Sequence, residues 1–279
     1  MSDGAMISKP DRSVLSTVDP DILAAVDARA EDIVRGALVD SKIVAMLALG
    51  SIPIALGALA KDVYGQTPVD VLDVLQFALL LEYLEADFYQ RGMNASGLIP
   101  ASDLTVFSTI SAHETAHIGA LQGLISGKGG TSIAKPTFDY TAKGSVPGFA
   151  FSATQYDVFT SLAQAFEDTG VRAYKGQVGR LINDKPVLAA AMAIHSVEAR
   201  HASEVRRLRG LKGWVAGTSR DDLPAFLQAA YVGEENVTQL SVNVSTLATG
   251  SVSANSATEA FDEPLTMAQV MAIVTPFLP

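Results

Sequence analysis

Two stretches of the sequence pair a glutamate with a histidine three residues later, Glu114-Thr-Ala-His117 and Glu198-Ala-Arg-His201. The chain has four histidines and eleven glutamates, so two such pairs are more than coincidence readily supplies. On a helix, positions i and i+3 share a face, and both side chains can converge on one cation. Two further glutamates stand at matching places upstream: Glu82 precedes Glu114 by 32 residues and Glu167 precedes Glu198 by 31. Tyr89 and Tyr174 follow Glu82 and Glu167 by seven residues each, nearly two turns along the same face. The pattern is two copies of one helix hairpin, offset by 84–85 residues. A Glu from each of two helices, with Glu-x-x-His from each of the other two, is the ligand set of a dinuclear carboxylate centre inside a four-helix bundle. The bland alternative places all six residues on solvated faces. It fits Glu82 poorly, because FALLLEYL surrounds it with apolar groups, and an ionised carboxylate there needs a partner such as a cation.

The elements that must carry these residues follow from periodicity and punctuation. Thr67-Pro68 opens a first helix, with Pro where its missing N–H costs nothing, and Gly92 reads as its stop. Ser102 with Asp103 caps a second helix that ends at Gly127. Residues 127–152, rich in Gly, Pro, Thr and Lys, form a long connection. A third helix is expected from about Ala153 to Leu181, and a fourth from Pro186 to Leu208, closed by Gly210. Short link, long crossover, short link is the connectivity of an all-α four-helix bundle with one crossover. Residues 211–240 are mixed, 241–256 are small, polar and expected to be irregular, and LTMAQVMAIVTPFL reads as a final helix capped by Asp262 or Glu263. This divides the chain into an N-terminal segment (1–66), a bundle (67–210) and a C-terminal extension (211–279).

The N-terminal segment is less decisive. Residues 22–39 have helix-like apolar spacing, and residues 43–60 run without a charge. The latter reads as a short transmembrane helix interrupted by Pro53, as the apolar region of an export signal ahead of Val63-Tyr64-Gly65, or as a helix buried on the main domain. The first two would give association with a membrane or envelope. The acidic stretch before it argues against a signal, which begins short and basic.

Composition removes several function classes. Cysteine is absent, which excludes disulfides, thiolate zinc sites, cysteine nucleophiles and iron–sulfur clusters. Twenty Lys and Arg against thirty Asp and Glu give a net charge of −10, and no basic, aromatic-interleaved patch suits a nucleic-acid backbone. The most basic run, RHASEVRRLRG, lies at a helix C-terminus, where cations complement the macrodipole. Hydrophobic residues make up 48% and charged residues 18% of the 279, with a mean hydropathy of +0.26, so the chain buries much of itself or touches a membrane.

The segments LLLEYLEADFY, HETAH, QAFEDTGVRAY and HSVEARH resemble the ferritin-like superfamily, and within it the bacterial ferritin-like proteins similar to plant desiccation-related proteins. The resemblance covers about residues 68–210, and AFDEPLTMAQVMAIVTPF is similar to a segment recurring in the same bacterial group. It implies a ferritin-like bundle with two iron or two manganese ions. Glu114 and Glu198 would bridge the ions, Glu82 and Glu167 would be terminal ligands, and His117 and His201 would each bind one ion as neutral imidazole. Glu85 is an alternative or additional ligand, and Tyr89 and Tyr174 would act around the ligands as catalytic residues. His195 would orient Glu198 or be an ordinary core histidine, and His113 should point off the site face. Relatives often carry an export signal, which points to the periplasm or cell envelope, although no Arg-Arg pair precedes residue 43 here. No rubredoxin-like tail supplies an electron donor.

The function implied is reaction of a di-metal centre with dioxygen or hydrogen peroxide, whether ferroxidase, peroxidase or catalase-like, in stress or desiccation protection. The alternative is a non-enzymatic, metal-stabilised protective bundle. HETAH also matches the H-E-x-x-H of zinc metalloproteases, but that reading leaves Glu82, Glu167, Glu198 and His201 without a role. A dimer or small homo-oligomer is expected rather than a storage cage, because the two extensions would hinder tiling of a shell.

Overall fold

The computed structural model describes residues 71–246 and 253–279. The 22–39 and 43–60 stretches, the Thr67-Pro68 start and residues 247–252 lie outside them. Among the described residues no helix is long and apolar enough to cross a membrane.

Four long helices dominate. Helix α1 (Val71–Asn94) packs on α2 (Leu104–Gly127), and α3 (Tyr156–Leu181) packs on α4 (Lys185–Leu208), so that two hairpins face each other with α1 against α3 and α2 against α4. The expected four-helix bundle with one long crossover is the fold observed. The crossover follows α1: the Tyr140 hydroxyl donates to the Leu84 carbonyl (2.8 Å) and Asp87 (3.1 Å), and the Phe149 and Phe151 rings lie 6.4 and 5.5 Å from that of Phe88.

Several expected boundaries shift for local reasons. Helix α1 does not stop at Gly92 but runs on to Asn94. Gly92 serves packing, since a Cβ there would meet Phe159 Cε2 at 2.4 Å. Asp103 does hold the N-cap position of α2, but its carboxylate accepts the Tyr156 hydroxyl (2.5 Å) instead of closing the helix end. The start of α4 is capped by Asp184, which accepts from the Val187 N–H (3.3 Å), and Gly210 (φ 72°) ends it as expected.

The C-terminal extension is more ordered than its composition suggested. After a 3₁₀ turn (Ala225–Ala230) come a two-residue hairpin, β1 (Thr238–Gln239) with antiparallel β2 (Val242–Asn243), a short helix α5 (Ala254–Thr258) and a final helix α6 (Met267–Val274). Neither Asp262 nor Glu263 caps α6. Thr266 does, in a reciprocal capping box with Gln269.

This extension explains why α3 is buried on nearly every face. Leu265 N–H bonds to the Arg172 carbonyl (3.1 Å), and Gly176 permits the approach, because a Cβ there would sit 1.9 Å from the Leu265 carbonyl oxygen. The buried Arg172 guanidinium donates to the carbonyls of Glu263, Ala230 and Val232 and pairs with Glu234 (2.7 Å). Beside it, Asp168 pairs bidentately with Arg206 (2.6–3.1 Å) and accepts the Tyr231 hydroxyl (2.7 Å). Each buried carboxylate on this side of α3 therefore has its own arginine.

Candidate metal centre

The opposite face of α3 is different. Glu167 from α3, Glu82 from α1, Glu114 from α2 and Glu198 from α4 converge in the bundle interior, each 0% exposed. Among the described residues their ion pairs are all to His117 and His201, also buried, and none is to Lys or Arg. His117 Nδ1 lies 3.2 Å from Glu82 Oε2, 3.1 Å from Glu114 Oε2 and 3.1 Å from Glu198 Oε1. His201 Nδ1 lies 2.8 Å from Glu114 Oε1, 3.4 Å from Glu167 Oε2 and 3.8 Å from Glu198 Oε2. Two groups of mutually close ligating atoms result, one of Glu82, Glu114, His117 and Glu198, the other of Glu114, Glu167, Glu198 and His201. Glu114 and Glu198 belong to both. The structure thus brings together all six residues that the repeat singled out.

Both tyrosines reach this cluster, and each does so across the hairpins. Tyr89 of α1 donates to Glu167 Oε1 of α3 (2.5 Å), and Tyr174 of α3 donates to Glu82 Oε1 of α1. Each bond occupies one oxygen of its carboxylate. Among the described residues, Glu114 Oε1, Glu167 Oε2, both oxygens of Glu198 and His201 Nδ1 are buried without a well-aligned hydrogen bond, their close neighbours being one another and His117. Buried polar atoms are ordinarily satisfied, and here the orphaned atoms are lone-pair donors gathered in one place.

The electrostatics carry the same message. Burial, with the Glu198 charge next in weight, pushes the Glu114 carboxyl well above its ordinary value. Burial raises Glu167 and Glu198 to about 8. His117 moves the other way from a simple buried imidazole: burial lowers it, but bonds to Glu114, Glu198 and Glu82 outweigh that and take it to about 12. The protein alone keeps this interior electrically tolerable only by holding protons on acids that prefer to lose them. Oxygen and nitrogen donors of this kind, short of positive charge, fit divalent first-row metal ions.

The sequence also singled out three other residues. Glu85 is buried and raised by desolvation and by Glu198, Glu167, Glu114 and Glu82, yet it joins neither group. Its counterpart in the other hairpin is Gly170, and a Cβ there would lie 3.3 Å from Glu85 Oε1. His195 does not orient Glu198, since its Nδ1 meets the Val171 carbonyl (3.1 Å). His113 does not merely point away. Its Nδ1 lies 2.9 Å from His201 Nε2, with the two rings stacked at 5.2 Å. The i, i+4 pair of HETAH is therefore split, and among the described residues His113 and His117 share no candidate metal group. No sequence signal could have paired His113 with His201, 88 residues away.

In comparisons with known proteins, a ferritin-like domain model matches residues 70–211. No curated protein and no solved structure matches the chain.

Proposed function

The chain belongs to the ferritin-like domain family, and from that premise we propose that its bundle holds two iron or two manganese ions and reacts with dioxygen or hydrogen peroxide. The observation that carries this reading is the sharing of Glu114 and Glu198 between two four-residue groups. In it, Glu82, Glu114, His117 and Glu198 would hold one ion, and Glu114, Glu167, Glu198 and His201 would hold the other. When bound, such a pair supplies two redox equivalents beside an oxygen-derived substrate.

The rest is done by the chain's own side chains. Tyr89 and Tyr174 hold one oxygen of Glu167 and of Glu82 and so leave the other oxygen facing inward. Ligation requires His117 to give up the proton that the carboxylates otherwise hold on it, and Glu167 and Glu198 to give up theirs, so binding releases protons. The buried Glu85 carboxyl, whose hold on its proton is strengthened by burial and by the neighbouring carboxylates, is placed to keep a proton near the centre. A role in protection against oxidative or drying stress agrees with the resemblance to desiccation-related proteins.

Elemental analysis of protein purified without chelators tests the premise, with about two transition-metal ions per chain expected by analogy with other dinuclear bundles. Retention of the same metal content by Glu114→Ala and Glu198→Ala would sink it. Peroxide and dioxygen consumption by the loaded protein then separates an enzyme from a metal-stabilised protective bundle.

A further inference from the structure

One glycine inside the bundle has no backbone clash to explain it. Gly170 lies near the middle of α3, where glycine costs about 1 kcal/mol relative to alanine. Gly176, further along the same helix, is required by the Leu265 backbone. At Gly170 the atoms nearest to an added Cβ would be Glu85 Oε1 at 3.3 Å, Glu198 Oε2 at 3.5 Å and Glu198 Cγ at 3.8 Å. An alanine would be tight there, but only side chains would have to give. What the missing methyl leaves is a gap flanked by two carboxyl groups, one from the candidate centre and one outside it.

Both flanking oxygens lack a partner. Glu85 is 3% exposed, and among the described residues its carboxyl makes no hydrogen bond and no ion pair. Glu198 Oε2 is buried without a well-aligned hydrogen bond. Burying polar groups in this state is costly. Glu85 and Gly170 also line a cavity of about 10 Å³, which is room for a group the size of one water. Its walls are apolar: Leu81 and Leu84 from α1, Phe166 from α3 and Val274 from α6 of the C-terminal extension. Thr169 contributes too, but its hydroxyl proton is committed to the Ala165 carbonyl (2.6 Å). Glu85 is therefore the group able to anchor a guest, and the Gly170 gap leads from it to Glu198.

We propose that this cavity is a binding site for hydrogen peroxide beside the carboxylates, with one oxygen of the molecule anchored on Glu85 and the other in the gap that Gly170 leaves towards Glu198. A molecule of two oxygens, each able to donate and to accept, answers an unpartnered carboxyl at either end. Dioxygen donates no hydrogen bond and gains little from either group. Water fills one of the two places. Glu85 then binds substrate and not metal, in keeping with its absence from both groups of candidate ligands. The site rests on the reading of the bundle as a di-metal centre that meets an oxygen substrate.

Two measurements test it. The first needs no metal: crystals of the metal-free protein soaked in hydrogen peroxide should show two-atom density within hydrogen-bond distance of the Glu85 carboxyl, and crystals of Glu85→Leu should not. An empty cavity, or a single water that peroxide leaves unchanged, overturns the proposal. The second is stopped-flow oxidation of the Fe(II)-loaded protein by peroxide and, separately, by dioxygen. Gly170→Ala, which fills the gap, should slow the peroxide reaction tenfold or more at unchanged iron content. Its melting temperature should not fall, because alanine restores helix propensity, and this separates a blocked gap from a damaged fold. Glu85→Leu should slow the peroxide reaction more than the dioxygen reaction. Equal peroxide rates in wild type and both variants would overturn the cavity's role and leave the di-metal reading intact. Loss of iron from Glu85→Leu would make Glu85 a ligand and overturn the role given to it here. A wild type that binds no metal would sink the di-metal reading instead, and the metal-free crystals would still decide whether the cavity takes peroxide.

Discussion

Replacing His113 with leucine should weaken one of two metal positions and spare the other. His201 presents Nδ1 to the carboxylates, 2.8 Å from Glu114 Oε1, and Nε2 to His113 Nδ1 at 2.9 Å. To ligate through Nδ1, His201 must carry its proton on Nε2, and His113 Nδ1 must then accept it. Partial loss of hydration where it stacks on His201, helped by the neighbouring His201 and His117, lowers the His113 pKa, so the ring is neutral at pH 7 and its Nδ1 is free to accept. A ligating histidine held this way typically loses about 10–100-fold in metal affinity when the partner is removed, or about 1.4–2.7 kcal/mol. His117 has no such partner among the described residues, so its ion should be bound as before. Because His113 is exposed, the fold itself should change by no more than about 0.5 kcal/mol. Anaerobic titration with Co(II), followed by absorption and calorimetry, should show two equivalents in the wild type. In His113→Leu one affinity should be reduced and the other retained. His113→Gln, whose carbonyl can accept the same proton, should recover much of the loss. Equal affinities in wild type and His113→Leu, or equal loss at both positions, would refute the assignment.

The metal-free protein should lose stability as pH rises from about 5 to 8. Glu167 and Glu198, raised from 4.5 to about 8, hold protons in the fold that the unfolded chain has released. Their contribution is therefore full below about 4.5 and lost towards 8, at about 1.4 kcal/mol per pH unit for each such group. Urea denaturation at pH 5 and 8 measures it, and excess Mn(II) should reverse the trend because the ions displace those protons. Glu114→Ala and Glu198→Ala should lose most of the metal-induced rise in melting temperature, about 4 kcal/mol at a thousandfold excess over Kd. Glu204→Ala, on an exposed position of α4, should keep it, as differential scanning fluorimetry would show. Arg172→Met should cost about 3–5 kcal/mol in chemical denaturation, since it strands Glu234 in the interior. The double variant with Glu234→Leu should recover a substantial part.

The residues of the candidate centre were legible in the sequence because the relevant geometry is local. A glutamate and a histidine three apart share a helix face whatever the helix packs on, and the repeat doubled that signal for Glu82, Glu114, His117, Glu167, Glu198 and His201. The four long helices and the crossover were legible for the same reason, since apolar periodicity and Gly and Pro punctuation act within a few residues. What packs against a helix does not. That Tyr89 reaches Glu167 and Tyr174 reaches Glu82, across hairpins, depends on how the bundle's two halves are rotated. That Gly92 accommodates Phe159 rather than ending α1, and Gly176 the backbone at Leu265, depends on partners 67 and 89 residues away in the chain. The burial of α3 by the extension and the meeting of His113 with His201 belong to the same class. Spacing along a helix sets which side chains share a face, but only the packing of the helices decides what that face meets.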